Sequence, residues 1–144
     1  MTTNPPPPTF GTRELYDALA EALNVDAVWL VKAKAMTFSM THVYQGKIER
    51  AFRMEFTAGR ISEVTVYGDP ADAPPSVFVL TGDYDDWRDM LATAELSVNI
   101  ALVSRKILVK GKMGALMKNI PQFNYIIGKL IELEPKVPED APAE

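Results

Sequence analysis

The sequence predicts an α+β domain in which helices pack on one face of a mostly antiparallel β-sheet. Between Met36 and Tyr67, apolar side chains recur at every second residue in successive runs, which is the period of strands with one buried face. The segments on either side repeat apolar residues every three or four positions, which is the period of amphipathic helices. The chain has 144 residues and no cysteine, so it is long enough to bury one core without disulfides.

Composition and charge exclude several classes of protein. Hydrophobic residues make up 47% and charged residues 24% of the chain, as in soluble globular proteins, and the net charge of −4 argues against a general nucleic-acid binder. Because His42 is the single histidine, we expect no histidine-ligated metal and no cofactor. No apolar run reaches the roughly 18 residues of a transmembrane helix and no signal peptide is recognisable, so we expect a cytoplasmic protein.

Both ends of the chain are predicted to be disordered. Residues 1–11 contain the run from Pro5 to Pro8 and form a Pro-rich arm, which would either dock on a proline-reading domain or remain a solvated tail. Residues 134–144 are acidic and Pro-rich, which is typical of a disordered tail. One folded domain, residues 12–133, is expected between them.

The first element of that domain is predicted to be a helix. Thr12 is placed to cap it, and it runs to about Asn24. The apolar segment 25–31 is compatible with a short helix or an extended link, and Trp29 within it is expected to plug the core between the first helix and the sheet. The buried stripe of the first helix is predicted to be Leu15, Leu19 and Leu23.

Three strands follow as an antiparallel meander, at residues 36–44, 48–57 and 60–67. A turn at Gly46 separates the first two, and Ala58-Gly59 is predicted as a hairpin turn because glycine tolerates positive φ. The side chains expected on one face of the first two strands, mostly apolar, are Met36, Phe38, Met40, His42, Tyr44, Ile48, Arg50, Phe52, Met54 and Phe56.

A loop, a fourth strand and a helix come next. Residues 68–75 contain three prolines and are predicted as the loop, and residues 76–81 form the strand. Asp83 is predicted as the N-cap of the helix, with Asp85 and Asp86 in its first turn. These acids lack the Gly-containing loop of a metal site, so capping is the preferred interpretation. The apolar face of this helix is predicted to be Tyr84, Trp87, Met90 or Leu91, and Ala94.

The last third of the chain is predicted to contain two helices and one strand. Residues 95–104 form a short helix with Leu96, Ile100 and Val103 facing inward. Pro121 occupies the first turn of a final helix at residues 122–132, because proline suits that position. The buried stripe of the final helix is predicted to be Phe123, Ile126, Ile127 and Leu130.

The segment from Arg105 to Lys118 lies between these helices and is the most distinctive part of the sequence. Its apolar, β-branched run at residues 107–109 predicts a strand, and residues 115–117 predict a helical turn. The segment carries five basic side chains and no acid, which suits the mouth of a pocket for an amphipathic molecule. It is equally compatible with the last buried strand of an ordinary sheet.

No catalytic constellation is present in the sequence. His42 shares a predicted strand face with apolar residues, which favours a core or rim histidine over a general base. Gly111 and Gly114 lack the Lys-Ser/Thr partner of a phosphate-binding loop. Methionine recurs at inward or mouth positions, either as core filler or as a lining for flexible apolar guests: Met36, Met40, Met54, Met90, Met113 and Met117.

The order of these elements resembles the sterol carrier protein type 2 family. The run Leu-Thr-Gly-Asp-Tyr-Asp-Asp-Trp, residues 80–87, is similar to the strand and acid-capped helix of that family. Residues 105–118 resemble its signature, with matches at Lys106, Val109, Gly111, Leu116, Met117 and Lys118. The resemblance covers residues 12–133. Lys112 stands where the family usually has Asp or Asn, and Ser104-Arg105 replaces a small residue followed by Gly.

The resemblance implies a five-stranded sheet with helices on one side, enclosing an apolar tunnel that is bordered by the final helix. Domains of this family bind sterols, fatty acids or acyl-CoA without catalytic residues, and some serve quinone synthesis or act beside partner enzymes. The ligand-binding residues expected here are Phe38, Met40, Phe52, Met54, Trp87, Met90, Leu91, Ile100, Met113, Leu116, Met117, Phe123, Ile127 and Leu130. Lys106, Lys110 and Lys112 are expected to meet a carboxylate or a phosphate at the mouth.

Three functions are compatible with these expectations. The first is a non-catalytic protein that binds or transfers a sterol, fatty acid, acyl-CoA or quinone-like lipid, and whose Trp87 reports on the ligand. The second is an interaction module with a filled core, which docks on a partner enzyme through a sheet edge or the final helix. The third is a small cavity enzyme, which would need His42 or an acid buried inside its cavity.

Overall fold

The computed structural model describes residues 7–138 and contains a single five-stranded sheet flanked by helices. The strands are β1 (Phe38–Gln45), β2 (Arg50–Thr57), β3 (Arg60–Tyr67), β4 (Phe78–Asp83) and β5 (Ile107–Lys110). The helices are α1 (Arg13–Asn24), α2 (Ala27–Lys32), α3 (Tyr84–Leu91), α4 (Val98–Val103) and α5 (Met113–Glu132), with a short 3-10 turn at Pro70–Asp72. The predicted α+β class and the number of strands are confirmed.

The strand order is β3-β2-β1-β4-β5, with β1 at the centre. The first three strands form the predicted antiparallel meander. The chain then crosses back so that β4 pairs in parallel with β1, with Met40 opposite Phe78. β5 adds an antiparallel edge to β4. The meander and the strand after Arg105 therefore belong to one mixed sheet, as the sequence predicted.

The hairpin between β2 and β3 holds α2 in place. Ala58 and Gly59 both have positive φ, at 50° and 85°, which produces the tight turn that the sequence predicted. The carbonyl of Gly59 accepts a 2.7 Å hydrogen bond from the indole of Trp29, which is fully buried. A Cβ at Gly59 would lie 2.9 Å from the carbonyl oxygen of Ala33, so the close approach requires glycine. The ambiguous segment after α1 thus becomes a helix with Trp29 as its anchor.

A partly buried ion pair links α2 to α5. The carboxylate of Asp26 caps α2 by accepting from the backbone N–H groups of Val28 and Trp29. It also accepts a 2.6 Å hydrogen bond from the hydroxyl of Tyr125 and lies 2.9 Å from the ammonium of Lys129. These interactions, the Tyr125 hydrogen bond foremost, hold the pKa of Asp26 well below its usual range.

Each of the three longer helices places one aromatic ring on a different strand of the sheet. Tyr16 belongs to α1, Trp87 to α3 and Phe123 to α5, and all three side chains are buried. Offset-stacked and edge-to-face contacts of this kind stabilise a core beyond the area that they bury. The pairs are Tyr16 with Phe52, Trp87 with Tyr44 and Phe123 with Phe78, with ring centres 4.3, 5.0 and 5.0 Å apart.

The outer edge of the sheet at β3 is covered by polar side chains of α1. Asn24 both donates to the carbonyl of Ile61 and accepts from its N–H, at 3.0 and 2.8 Å. Arg13 donates to the carbonyl of Val64 at 2.9 Å. Since these backbone groups already have partners, β3 does not offer an open edge to a further strand at these positions.

The final helix is longer than predicted. α5 begins at Met113, so Pro121 lies inside the helix and the assignment of Pro121 to its first turn is wrong. Leu116, Ile120 and Phe123 continue one apolar stripe across the proline, which explains why the helix does not end there. Proline has no N–H, so the carbonyl of Met117 receives no helical hydrogen bond from position 121. The predicted stripe beyond Pro121 is confirmed as buried.

The predicted inward face of α4 is also wrong. Ile100 and Val103 are 56% and 83% exposed, and Ala101 is the buried residue of this helix. Ser97 caps the helix by accepting from the N–H of Ile100 at 3.2 Å, and Arg105 follows its end with φ at +64°. The helix between Ser97 and Arg105 has only six residues. It is oriented so that Ile100 and Val103 face solvent.

The described parts of both terminal segments are ordered, which corrects the prediction of disorder for residues 7–11 and 134–138. Thr9 and Lys136 pair in a parallel bridge. Phe10 is 1% exposed and packs between Tyr44 and Tyr84, at ring distances of 5.6 and 5.1 Å. The predicted disorder of residues 1–6 and 139–144 lies outside the described residues.

Replacing Phe10 with alanine tests whether this anchor contributes to stability. Since the ring is fully buried, we expect Phe10→Ala to lower the free energy of unfolding by about 3–5 kcal/mol, measured by urea denaturation. Val25→Ala, at a side chain that is 82% exposed, is the control and should change stability by no more than about 0.5 kcal/mol. Equal effects of the two substitutions would contradict an anchoring role for Phe10.

Candidate functional site

Most of the side chains that were predicted to line a tunnel are buried in the core between the sheet and its helices. These residues are almost completely buried and belong to one continuous apolar cluster, in which they pack against each other. The predicted site residues placed in this cluster are Met40, Phe52, Met54, Trp87, Met90, Leu91, Ile127 and Leu130. The role of these residues in ligand binding stays a prediction, and the clefts at the margin of the core are described next.

His42 lies inside this core. Its Nδ1 is 2.8 Å from the hydroxyl of Tyr16, and its ring stacks on Trp87 with centres 4.8 Å apart. Burial lowers the pKa of His42 to about 3, so the imidazole is neutral. Its Nε2 has no hydrogen-bond partner among residues 7–138. This environment agrees with the interpretation of His42 as a core histidine.

An apolar cleft of about 350 Å³ opens where α4, β5 and α5 meet. Its volume falls in the usual range of small-molecule sites, and its lining combines apolar residues with a single charged residue, Arg105. We call it the α4–α5 cleft. Its lining residues are Leu102, Arg105, Ile107, Leu108, Val109, Leu116, Ile120 and Phe123.

Local backbone features explain why a cleft forms here. Arg105 ends α4 in the left-handed conformation, at a position where helices usually have glycine, and its N–H bonds to the carbonyl of Leu102 at 3.3 Å. Gly111 lets the chain pass closely over Phe78 on its way into α5, because a Cβ there would lie 2.5 Å from a ring carbon. β5 is only four residues long and leaves Leu108 39% exposed.

The first half of α5 is packed less tightly than the second. No residue of 113–122 is buried, whereas Phe123, Ile126, Ile127 and Leu130 all are. Pro121 lies at the boundary between the two halves and interrupts their hydrogen bonding. On the opposite side of this half-helix is a second cleft of about 290 Å³, which we call the α2–α5 cleft. It is lined by Lys32, Ala33, Ala35, Met36, Phe38, Lys118, Asn119 and Gln122.

The remaining predicted site residues lie around these two clefts or on the surface. Leu116 and Phe123 line the α4–α5 cleft, and Phe38 lines the α2–α5 cleft. The predicted residues that project into solvent are Ile100, Met113 and Met117, which are 56%, 73% and 62% exposed. Leu102 and Ile120 also line the α4–α5 cleft, although neither was predicted as a site residue. The spacing of Leu116, Ile120 and Phe123 was the signal that a longer helix would bring Ile120 there.

The acids of α3 are engaged in ion pairs. Arg88 bridges Asp85 and Asp89, each at 3.1 Å, and Lys106, just before β5, lies 3.7 Å from Asp86. Within residues 7–138, no three His, Asp or Glu side chains are grouped closely enough to hold a metal ion. In the same part of the chain, none of the helices has the length and hydrophobicity needed to cross a bilayer.

A larger groove of about 1050 Å³ runs along the solvent face of α1. It contains the carboxylates of Glu14, Asp17, Glu21 and Glu132 and none of the predicted site residues. Apolar residues such as Pro8, Ala18 and Val25 line it as well, but its four acidic residues are unsuited to an anionic head group. The α4–α5 cleft is therefore the better candidate for a ligand site.

Comparison with solved structures identifies the fold. A crystal structure of sterol carrier protein 2 aligns with a TM-score of 0.71 and 16% identity, covering 82% of this chain and 94% of that chain. A solution structure of a conserved hypothetical protein from Thermus thermophilus, described as possibly a sterol carrier protein, aligns with a TM-score of 0.72 and 15% identity, covering 94% and 96%. The apo form of sterol carrier protein 2 from Yarrowia lipolytica aligns with a TM-score of 0.52 and 15% identity, covering 90% and 98%.

No protein-family model and no curated protein matches the sequence. The structural alignments show that the chain has the sterol carrier protein 2 fold, which confirms the resemblance seen in its motifs at the level of fold.

The buried state of His42 predicts a pH dependence of stability. The pKa of His42 is about 3 in the folded chain and about 6.5 when exposed, so the unfolded chain binds the proton more readily. The stability that the neutral, buried imidazole contributes is therefore complete above pH 6.5 and is lost as the pH falls. We expect the wild type to lose about 1.4 kcal/mol per pH unit between roughly pH 6 and pH 4 through this group. His42→Phe, which leaves Tyr16 bonded to Tyr44 at 3.0 Å, should show a shallower slope. An imidazole NMR titration with a midpoint near the ordinary value would contradict the prediction.

The loose packing of the first half of α5 predicts uneven hydrogen exchange. Amides of residues 113–120 should exchange faster than those of residues 123–131, because Pro121 separates the two halves of the helix. Pro121→Ala restores the missing N–H and should slow exchange in residues 113–120, with a gain in stability of up to about 3 kcal/mol. Uniform protection along the wild-type helix would show that the two halves open as one unit.

Proposed function

We propose that this protein is a cytoplasmic, non-catalytic carrier that binds the hydrocarbon part of an anionic lipid, such as a fatty acid or acyl-CoA, in the α4–α5 cleft. The observation that carries the proposal is an apolar cleft of about 350 Å³ with one charged residue, Arg105, among its lining residues. Such a lining matches a ligand with a hydrocarbon chain and an anionic head. It matches a neutral sterol or a quinone-like lipid less well, because these offer the guanidinium no anionic partner.

The apolar lining would supply most of the affinity. Each methylene group moved from water into the cleft contributes about 0.8 kcal/mol. Leu116, Ile120 and Phe123 present one continuous apolar side of the helix to such a chain, and Leu108 faces them from β5. No chemical step is involved, because the one group in the cleft that carries charge is a guanidinium, which does not exchange its proton at ordinary pH.

Arg105 would recognise the head group. A guanidinium binds a carboxylate or phosphate through two parallel hydrogen bonds, which a lysine cannot match. The backbone of Arg105 is left-handed, and this conformation costs a non-glycine residue about 1–2 kcal/mol. An arginine at a position that favours glycine is consistent with a functional requirement for its side chain.

The first half of α5 would act as a movable cover for the cleft. It contributes two of the lining residues, Leu116 and Ile120, yet has no buried residue of its own. Moving it outward at Pro121 would widen the cleft without disturbing Phe123 and the buried residues beyond it. The likeness to sterol carrier protein 2 supports a carrier by analogy of fold alone.

A second candidate is an interaction module that docks on a partner enzyme. The filled core favours it, since the side chains between sheet and helices leave a ligand only the marginal clefts. The β3 edge is covered by Asn24 and Arg13, so docking would use β5 or the exposed half of α5. In this function, the α4–α5 cleft would bind no lipid.

Substitutions of Arg105 test the proposal. We expect Arg105→Gly to weaken binding of a pyrene-labelled fatty acid about tenfold or more, because a hydrogen bond to a charged group contributes about 1.5–3 kcal/mol, and to leave binding of the corresponding methyl ester unchanged. The same variant should gain about 1 kcal/mol of stability from relief of the left-handed backbone. Arg105→Ala separates the two effects, since it removes the guanidinium and keeps the backbone cost.

A filled-cleft variant decides between the two functions. Ile120→Trp adds bulk inside the α4–α5 cleft and should abolish binding of both pyrene probes, measured by fluorescence. Val28→Trp, at a side chain of α2 that is 62% exposed, is the matched control and should bind normally. Wild-type protein that binds neither probe, or Ile120→Trp protein that binds both, would favour the interaction module.

A further inference from the structure

The groove of about 1050 Å³ along α1 has no part in the proposed function, and we call it the α1 groove. It is larger than either cleft beside α5. One of its walls is the solvent side of α1, and the backbone bridge between Thr9 and Lys136 holds the other wall in place. The residues of that second wall are Pro7, Pro8, Glu132 and Leu133.

The α1 wall consists of two parallel rows of side chains, because positions three or four apart on a helix share one face. The acidic row is Glu14, Asp17 and Glu21, and the small apolar row is Ala18, Ala22 and Val25, the residue that follows α1. Both rows lie outside the buried stripe that α1 packs on the sheet. The core therefore does not account for them.

The small apolar row continues onto α2 as exposed valines. Val25, Val28 and Val31 are 82%, 62% and 71% exposed. Successive members are three residues apart in sequence, so the chain limits their separation to about 11 Å. Val28 and Val31 line a further depression of about 470 Å³. Apolar side chains that follow each other in this way mark an interaction surface rather than scattered surface positions.

The α1 groove carries an excess of negative charge. Its lining contains four acidic residues and one basic residue, Arg13, which lies 3.4 Å from Asp17. Glu14 and Glu21 form no ion pair within residues 7–138. A partner with basic side chains is complementary to this lining, and the acidic row attracts it.

We propose that the α1 groove binds a basic amphipathic helix of a partner protein. The small side chains of Ala18 and Ala22 allow the backbone of that helix to approach α1, and rows spaced by three and four residues are the pattern on which a second helix packs. The wall from Glu14 to Val25 is about 16 Å long, which matches three turns of a helix. Apolar side chains of the partner would lie on the small apolar row, and its lysines or arginines beside the acidic row.

This surface is separate from the site of the proposed function. The α1 groove and the α4–α5 cleft share no lining residue. It also lies apart from β5 and from the exposed half of α5, which an interaction module would use for docking on an enzyme. The inference therefore goes beyond the proposed function and does not depend on it.

Fluorescence anisotropy of labelled peptides tests the proposal on the full chain. The first peptide has about 18 residues, with leucine at every third or fourth position and lysine elsewhere. The second has glutamate in place of lysine, and the third has the composition of the first in an order without a leucine stripe. We expect the first to bind at least about tenfold more tightly than the other two, with an advantage over the second that shrinks between about 0.1 M and about 1 M salt. Equal binding of the first and second peptides would overturn the proposal.

Two matched pairs of variants locate the binding. Glu21→Lys should weaken binding of the leucine–lysine peptide at least about threefold, whereas Glu49→Lys, at an exposed acid before β2, should bind as the wild type does. Val25→Gln should also weaken binding at least about threefold, whereas Val77→Gln, at a valine that is 49% exposed, should not. Because all four positions are exposed, circular dichroism should show folded variants. Equal losses within each pair would overturn the assignment to the α1 groove.

A second copy of the chain is the alternative occupant, and sedimentation equilibrium distinguishes it. We expect monomers in the absence of peptide. A dimer that dissociates in Glu21→Lys and on addition of the leucine–lysine peptide would assign the groove to self-association and overturn the partner helix.

The pyrene-labelled fatty acid separates this inference from the proposed function. Glu21→Lys should bind that probe as the wild type does, because position 21 is outside the α4–α5 cleft. Wild-type protein that binds the pyrene probe but not the leucine–lysine peptide would overturn docking in the α1 groove and leave the proposed function intact.

Discussion

Three pairs of aromatic rings hold the helices on the sheet, and the position of everything else depends on them. Tyr16, Trp87 and Phe123 each belong to a different helix and pack on rings of β2, β1 and β4. Trp87 also donates a 3.0 Å hydrogen bond from its indole to the carbonyl of Val43, which fixes α3 to the central strand. These large rings are buried between the helices and the sheet and form the centre of the core.

Three local irregularities meet at one margin of the molecule. There the sheet ends in a four-residue strand, α4 ends at a left-handed arginine and α5 contains an internal proline. Each of these departs from a local rule of stable structure. Their concentration at one margin, beside an apolar cleft, is the pattern expected where stability has been given up for binding.

The strands could be predicted from the sequence because their apolar and polar side chains alternate. Once one face of the sheet is buried, only one register places the apolar side chains inward. The position of Pro121 inside the helix could not be predicted, since proline is equally acceptable at the start of a helix and at a tolerated kink. Only tertiary packing, in which Leu116 lines a cleft with residues of β5, decides between the two positions. Phe10 was missed because its partners come from β1 and α3, distant in sequence. Whether the predicted site residues line a ligand site stays a prediction: periodicity identifies inward side chains, but whether they leave a void depends on volumes contributed by several elements at once.

The parallel bridge between Thr9 and Lys136 has a mechanical consequence. Phe10 donates to the carbonyl of Lys136 and Lys136 to the carbonyl of Pro8, both at 2.8 Å, and the two segments run in the same direction. The chain therefore enters at one end of this bridge and leaves at the other. Pulling the two segments apart along the chain applies shear to both hydrogen bonds at once. Phe10 must also leave its position between Tyr44 and Tyr84 before the first segment detaches. The fold is thus clamped against pulling at the point where its two ends meet.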